Sequence, residues 1–91
     1  MSDDLKLDID FLYEVLTTLK TKEDYEKFLP DLCTYKEIES MAQRVKAASL
    51  LLNGATYEKI IRETNISSAT LSRVSRCVKY GKGYKNYLKK S

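Results

Sequence analysis

Apolar residues recur along the chain three or four positions apart, which is the spacing of amphipathic helices. The first such segment predicts a helix from about Asp8 to Lys20. The apolar face of this first helix is formed by Ile9, Leu12, Leu16 and Leu19.

A capping box that begins at Thr21, with Asp24 in the place of the usual Glu, predicts a second helix. This helix is short because Pro30 stops it.

The most regular apolar pattern lies in the middle of the chain. A fuller capping box, Thr34-Tyr35-Lys36-Glu37, predicts the start of a helix that runs from Tyr35 to Asn53 and that Gly54 closes at the C′ position. At 1.5 Å per residue this helix would be about 28 Å long. Its apolar face consists of Ile38, Met41, Ala42, Val45, Ala48 and Leu52.

Two short helices are predicted next, joined by a tight turn. Thr56 can cap a helix from Tyr57 to Thr64. Asn65 tolerates the left-handed conformation and makes the turn, Ile66 fills it, and Ser67 caps the next helix.

The second short helix has two distinct faces. At 100° per residue Leu71, Val74 and Val78 point inward, and Ala69, Arg73 and Arg76 point the opposite way, with Ser72 near them. Gly81 and Gly83 are predicted to end it, and the last helical turns carry Tyr84, Tyr87 and Leu88. The fold class is therefore all-α, with about six helices in one domain spanning residues 1–91.

Residues 56–79 have the features of a helix-turn-helix DNA reader: two short helices, an apolar residue in the turn, and a small, hydroxylated and basic outer face. Small side chains allow close approach to the major groove, hydroxyls donate or accept, and arginines reach guanine or phosphate. The predicted DNA-binding residues are Lys59, Arg62, Ser67, Ser68, Ala69, Thr70, Ser72, Arg73, Arg76 and Lys79. The alternative is an ordinary helical hairpin with a solvated charged face.

The distribution of charge favours the DNA reader. The formal net charge of +3 hides an asymmetry, because residues 1–63 carry 9 basic and 13 acidic side chains and residues 64–91 carry 7 basic and none acidic. A solvated face normally mixes both signs, so an acid-free basic segment indicates a polyanionic partner. A single-stranded RNA partner for the Lys- and Tyr-rich C-terminal segment and a helical adaptor without nucleic acid stay open as alternatives.

Composition excludes several classes of function. The chain has no histidine, and its only two cysteines, Cys33 and Cys77, are 44 positions apart, so no zinc cluster can be written. No phosphate-binding glycine loop or nucleophile elbow occurs, so we expect no enzyme, no cofactor and no metal. The cysteines are predicted to be small buried hydrophobic residues with reduced thiols. No apolar run is long enough for a bilayer and no signal peptide is present, which predicts a cytoplasmic protein without a membrane contact.

The size of the chain favours dimerisation. A chain of 91 residues buries about 60–65% of its unfolded surface, which leaves the apolar stripe from Ile9 to Leu19 without enough partner surface in one subunit. A twofold homodimer would supply that surface. It would also place two reading helices about 34 Å apart, the spacing for a palindromic duplex site.

Three segments between Asp31 and Gly81, DLCTYKEIESMAQR, LLNGATYEKIIRET and SSATLSRVSRCVKYG, resemble the YerC/YecD family of the Trp repressor superfamily. The resemblance covers three features in the same alignment: the helix before the DNA reader, an Arg-bearing turn sequence at Gln43-Arg44, and the reading helix. It implies an intertwined, all-helical homodimer that acts as a regulator of transcription.

The resemblance also implies an effector pocket, formed by Thr34, Arg44, Arg73, Val74 and Cys77. The Trp repressor has a glycine at the position of Val74 and a serine at the position of Cys77. An isopropyl group would block the ligand, and a thiol is a poor partner for its ammonium group. We therefore expect that tryptophan does not bind, that any effector is a different molecule, and that Arg44 instead pairs with an acidic side chain of a neighbouring helix.

Overall fold

A computed structural model describes residues 2–88, and these residues form six α-helices and no β-strand. The helices are α1 (Asp3–Leu16), α2 (Lys22–Leu32), α3 (Tyr35–Leu52), α4 (Tyr57–Thr64), α5 (Ser68–Tyr80) and α6 (Gly83–Tyr87). The predicted all-α fold with about six helices is thereby confirmed. The chain divides between α2 and α3 into two compact units, unit 1 (Met1–Thr34) and unit 2 (Tyr35–Ser91).

In unit 1, α1 begins five residues before its predicted start and ends four residues before its predicted end, so its predicted bounds are wrong. The Ser2 hydroxyl accepts a hydrogen bond from the Leu5 amide at 3.1 Å, and two aspartates in the first turn complement the helix dipole. The spacing of apolar residues gives no sign of this polar first turn, so it could not predict a start at Asp3. At the other end, the Thr17 and Thr18 hydroxyls donate to backbone carbonyls three residues earlier. These side-chain bonds compete with the backbone hydrogen bonds that would continue the helix.

The capping box of α2 is confirmed at Thr21. The Asp24 amide donates to the Thr21 hydroxyl at 3.1 Å, and the Asp24 carboxylate accepts from the Thr21 amide at 3.1 Å and from the Lys20 amide at 2.8 Å. The helix continues through Pro30 to Leu32, so the predicted stop at Pro30 is wrong. Proline this close to the C-terminal end removes one backbone donor, and the ladder resumes when the Cys33 amide donates to the Leu29 carbonyl at 2.8 Å.

Unit 1 contains no fully buried residue among residues 2–34. Neither α1 nor α2 has one, and their apolar side chains are at most half-buried. The large apolar side chains that stay exposed on them are Leu5, Leu7, Phe11, Tyr13, Tyr25 and Leu32. The apolar stripe predicted to lack a partner within one subunit is thus nowhere fully buried.

Unit 2 has a compact core formed by α3, α4 and α5, and α6 packs against α3 and α5. The buried core residues are Ala47, Ala48, Ile60, Ile66, Leu71 and Val74. Gly54 closes α3 as predicted, with φ +85°, because the Gly54 amide donates to Leu51 and the Ala55 amide to Leu50 in a Schellman motif. The two alanines let α3 approach the helix pair α4–α5 closely, and the core therefore holds that pair in place.

Candidate nucleic-acid interface

The turn between α4 and α5 has the predicted structure. The Thr56 hydroxyl accepts from the Lys59 amide at 3.2 Å and caps α4, whose observed bounds are the predicted ones. Asn65 is left-handed, with φ 59° and ψ 19°, and Ile66 is buried in the core. The three residues 65–67 connect the helices, so the segment has helix-turn-helix connectivity.

A hydrogen-bond network that the sequence does not reveal anchors the end of α4. The Thr64 hydroxyl donates to the Ile60 carbonyl at 2.7 Å and accepts from the Ile66 amide at 3.2 Å. The Gln43 side-chain amide of α3 donates to the Thr64 carbonyl at 3.2 Å. Gln43 and Arg44 both lie within α3, as the helix predicted from Tyr35 to Asn53 requires, and the turn sequence that the resemblance placed at these two residues is not formed.

The first turn of α5 is stabilised by its own hydroxyls. The Ser67 hydroxyl accepts from the Thr70 amide at 3.1 Å and donates to the Thr70 hydroxyl at 2.9 Å. Leu71 and Val74 are buried against the core, and Val78 packs against it. This arrangement fixes the rotation of α5 about its axis, and with it the face that α5 presents to solvent.

Of the ten predicted DNA-binding residues, nine are exposed and Thr70 is half-buried. The outward stripe of α5, defined as Ala69, Arg73, Arg76 and Tyr80, repeats at helical spacing opposite the buried residues. Tyr80 is 82% exposed and is not among the residues predicted from the sequence, although its position four residues after Arg76 places it on the same face. The stripe thus presents one small, two cationic and one aromatic side chain.

The cations of α5 have no acidic partner among the residues that the structure describes. Arg73, Arg76 and Lys79 make no ion pair with any residue in the described range 2–88, whereas Lys27 and Glu23 of α2 form one at 3.2 Å. The positive charge of α5 is therefore available to an external anion. Residues 64–91 contain no Asp or Glu that could compete.

The residues of the predicted effector pocket differ in their surroundings. Thr34 belongs to unit 1 and the others to unit 2. Val74 is part of the core and Arg73 is exposed. The half-buried Arg44 donates its Nε to the Ser40 carbonyl of its own helix at 3.4 Å and makes no ion pair with the described residues, so the pairing predicted for it is not formed.

Cys33 and Cys77 are free thiols and are half-buried, so they are less buried than predicted. Cys77 faces an apolar cavity of about 500 Å³, which is also lined by Val45, Gly81, Gly83, Tyr84, Tyr87 and Leu88. Gly81 allows the chain to turn here, because a Cβ at this position would lie 2.6 Å from the Cys77 carbonyl oxygen. Tyr84 packs against the core, whereas Tyr87 is 86% exposed.

Neither a metal site nor a membrane-spanning helix is found in the part of the chain that the structure describes. Residues 2–88 bring together no group of three or more His, Cys, Asp or Glu side chains that could hold a metal ion. In the same range no helix is both long and apolar enough to cross a membrane.

Comparisons with known proteins agree with this architecture. The family model described as Trp repressor protein matches residues 7–91. The uncharacterized protein YerC of Bacillus subtilis (strain 168) is 47% identical over 74 residues, which cover 81% of this chain and 71% of YerC.

Two crystal structures have the same fold. A TrpR-like protein from Eubacterium eligens superposes with a TM-score of 0.85 at 34% identity, over 98% of this chain and all of that one. A candidate Trp repressor from Staphylococcus aureus superposes with a TM-score of 0.82 at 36% identity, over 93% of this chain and 89% of that one. The chain therefore belongs to the Trp repressor family, within which it groups with YerC.

Proposed function

We propose that the chain is a helix-turn-helix regulator of transcription that binds double-stranded DNA in a sequence-specific manner. The outward stripe of α5 is the observation that carries the proposal. It holds two arginines that pair with no acidic side chain between residues 2 and 88, on a helix fixed by the core. Family membership supports it. A regulator of this kind acts on the chromosome, so we place it in the cytoplasm and expect no catalytic activity.

Within this proposal the candidate residues divide into two groups. Ala69 and Ser72 allow α5 to approach the floor of the major groove, where Arg73 and Arg76 can reach guanine N7 and O6. Lys59, Arg62 and Lys79 would contact phosphates, which position the protein without reading sequence.

We propose that the active form is a homodimer. α1 and α2 carry apolar side chains that the described chain does not bury, Phe11 among them at 66% exposure. A second copy would cover such surface, and twofold symmetry would match the two reading helices to the half-sites of a palindrome.

We infer that tryptophan is not the effector. Val74 is 2% exposed and packed in the core, and its isopropyl group adds bulk beside the α5 backbone at a position where the Trp repressor has a glycine. Cys77 offers a thiol, which is a weak hydrogen-bonding partner for a ligand ammonium group. The chain would then bind DNA constitutively, or its DNA binding would be controlled by another small molecule.

Selection of bound sequences from random duplex DNA tests the proposal, since it reports nucleic-acid type, palindromy and half-site spacing together. On the selected duplex, Arg73→Ala and Arg76→Ala should each weaken binding by about 1–3 kcal/mol where the side chain makes a bidentate base contact. Arg73→Lys keeps the positive charge but loses the planar guanidinium that can donate two hydrogen bonds to one base. Loss of affinity in this variant therefore reports base recognition rather than attraction to phosphate. Unchanged gel shifts for both alanine variants, with circular dichroism showing intact helices, would reject the assignment.

A second candidate function is binding of single-stranded RNA. The exposure of Tyr80 and Tyr87 near Lys79, Lys82 and Lys85 favours it, because exposed aromatic rings between cations can stack unpaired bases. Competition decides between the two candidates: single-stranded RNA that displaces a duplex probe more effectively than unlabelled duplex would favour RNA. A helical adaptor without nucleic acid would show no steep dependence of affinity on salt.

A further inference from the structure

The link between α3 and the helix pair contains an Asn-Gly pair. Asn53 and Gly54 directly follow α3 and belong to the residues 53–56 that connect it with α4. Both are exposed to solvent. Gly54 has φ +85°, and a Cβ built on it would meet nothing within 4 Å among the described residues beyond its chain neighbours. Water and hydroxide therefore have access to the pair.

An exposed Asn-Gly pair can close a ring on itself. Hydroxide removes the proton of the Gly54 amide, and the nitrogen then attacks Cγ of Asn53. The new N–Cγ bond closes a succinimide ring, the Cγ–Nδ2 bond breaks, and the leaving group takes a proton from water and departs as ammonia. Water next opens the ring. Opening at Cγ gives aspartate, and opening at the main-chain carbonyl gives isoaspartate, whose main chain is one methylene longer.

The other two asparagines of the chain are poorer sites for this reaction. Asn65 precedes Ile66, which is β-branched and buried in the core, and Asn86 precedes Tyr87. A side chain on the following residue crowds the amide nitrogen that must attack, whereas glycine has none. Asn53 is therefore the asparagine at which the ring closes with the least hindrance.

Hydrogen bonds at the end of α3 oppose the reaction without preventing it. The Gly54 amide donates to the Leu51 carbonyl at 3.1 Å, and the Asn53 side-chain amide donates to the Ser49 carbonyl at 2.8 Å. Both bonds must break before the nitrogen reaches Cγ. The Asn53 backbone amide is shared between the Ser49 and Leu50 carbonyls at 3.2 Å each, as is common in a last helical turn. Such ends open at low free energy, so the folded chain can reach the reactive geometry without global unfolding.

We propose that Asn53 is a site of spontaneous deamidation and that the products loosen the attachment of the helix pair to α3. A carboxylate at this position replaces the Nδ2 donor by an oxygen that faces the Ser49 carbonyl. It also adds negative charge at the C-terminal end of α3, where the helix dipole is already negative. In isoaspartate, the extra methylene further displaces the Gly54 and Ala55 amides from the α3 carbonyls that accept from them.

Mass spectrometry of the full chain, aged in its folded state at mildly alkaline pH and then digested with trypsin, tests the site. Cleavage after lysine and arginine puts each asparagine into a peptide of its own, residues 47–59, 63–73 and 86–89. Carboxylate and isoaspartate should accumulate in 47–59 and stay at the level of an unaged sample in the other two. Equal conversion in the three peptides, or none in 47–59, would overturn the assignment.

Two variants test the effect of the products on the fold. Asn53→Asp carries the charge of the product, and its melting temperature should lie about 2–6 °C below that of the freshly purified chain, as expected for a carboxylate at the C-terminal end of a helix. The difference should shrink at high salt. Asn53→Gln keeps an uncharged amide and is the matched control, with a smaller shift and no conversion in its own peptide 47–59. Equal melting temperatures for the Asp variant and the fresh chain at low salt would refute the loosening.

Discussion

Two adjacent isoleucines of α4 provide a matched test of the core that holds the helix pair. Ile60 is completely buried and Ile61 is 37% exposed, yet both lie in the same helix and differ by one position. Truncation of either side chain to alanine removes three carbons and changes helix propensity equally. Any difference between the variants therefore reports burial.

The expected magnitudes follow from that burial. Removal of three buried carbons at about 0.8 kcal/mol each gives about 2.4 kcal/mol for Ile60→Ala, and the cavity left behind raises the loss to about 3–4 kcal/mol. Ile61→Ala should cost about 1 kcal/mol, because solvent already reaches the side chain and its neighbours can relax. In a domain of this length the two melting temperatures should differ by about 10–20 °C.

Urea and thermal unfolding followed by circular dichroism measure the two losses. All samples need the same chain concentration, since association stabilises the folded form by mass action. Equal losses for the two variants would refute the burial of Ile60 and with it the packing of α4 on α3 and α5. A large loss for Ile61→Ala alone would show that the face of α4 that carries Ile61 is the buried one.

Three further predictions concern the turn, pH and the effector. Asn65→Ala should lower the free energy of unfolding by about 1 kcal/mol, because alanine resists the left-handed conformation, whereas Asn65→Gly should cost little; equal urea midpoints for both variants would contradict this. Backbone hydrogen bonds from Lys20 and Thr21 lower the pKa of Asp24 below its ordinary value of 3.8. The Asp24 carboxylate therefore stabilises the folded chain fully above the ordinary pKa, and this stabilisation is lost as the pH falls through the lowered pKa of the folded state. The unfolding free energies of the unmodified chain and Asp24→Asn should therefore converge on acidification from pH ~6, and a constant difference would contradict the capping role. Calorimetry with tryptophan should show no binding, because of Val74 and Cys77; micromolar affinity would overturn that inference.

Local signals explain why the sequence predicts the helix pair so closely. The start of α4 depends on Thr56, which bonds an amide three residues away, and its end depends on the backbone preference of Asn65. Neither signal needs a distant partner. The same holds for the Thr21 capping box and for Gly54, both of which have their predicted roles.

The misplaced features have physical causes of two kinds. α1 starts earlier than predicted because its first turn is polar and is capped by Ser2, so the spacing of apolar residues cannot reveal it. α2 continues past Pro30 because a proline so near the end of a helix removes few of its backbone hydrogen bonds. Gln43 shows the second kind. Its partner, the Thr64 carbonyl, lies 21 positions away, and only the packing of α3 on α4 brings them together.

The hydroxyls of α5 divide by the bonds they already make. Ser67 uses its hydroxyl both as acceptor and as donor toward Thr70, so a base contact from Ser67 would compete with a cap of about 1 kcal/mol. Ser72 has no such bond among the described residues, and together with Arg76 it lines a small polar pocket between α4 and α5. We infer that sequence reading falls mainly on Ala69, Ser72 and the two arginines, while Ser67 and Thr70 serve by holding the first turn of α5 in shape.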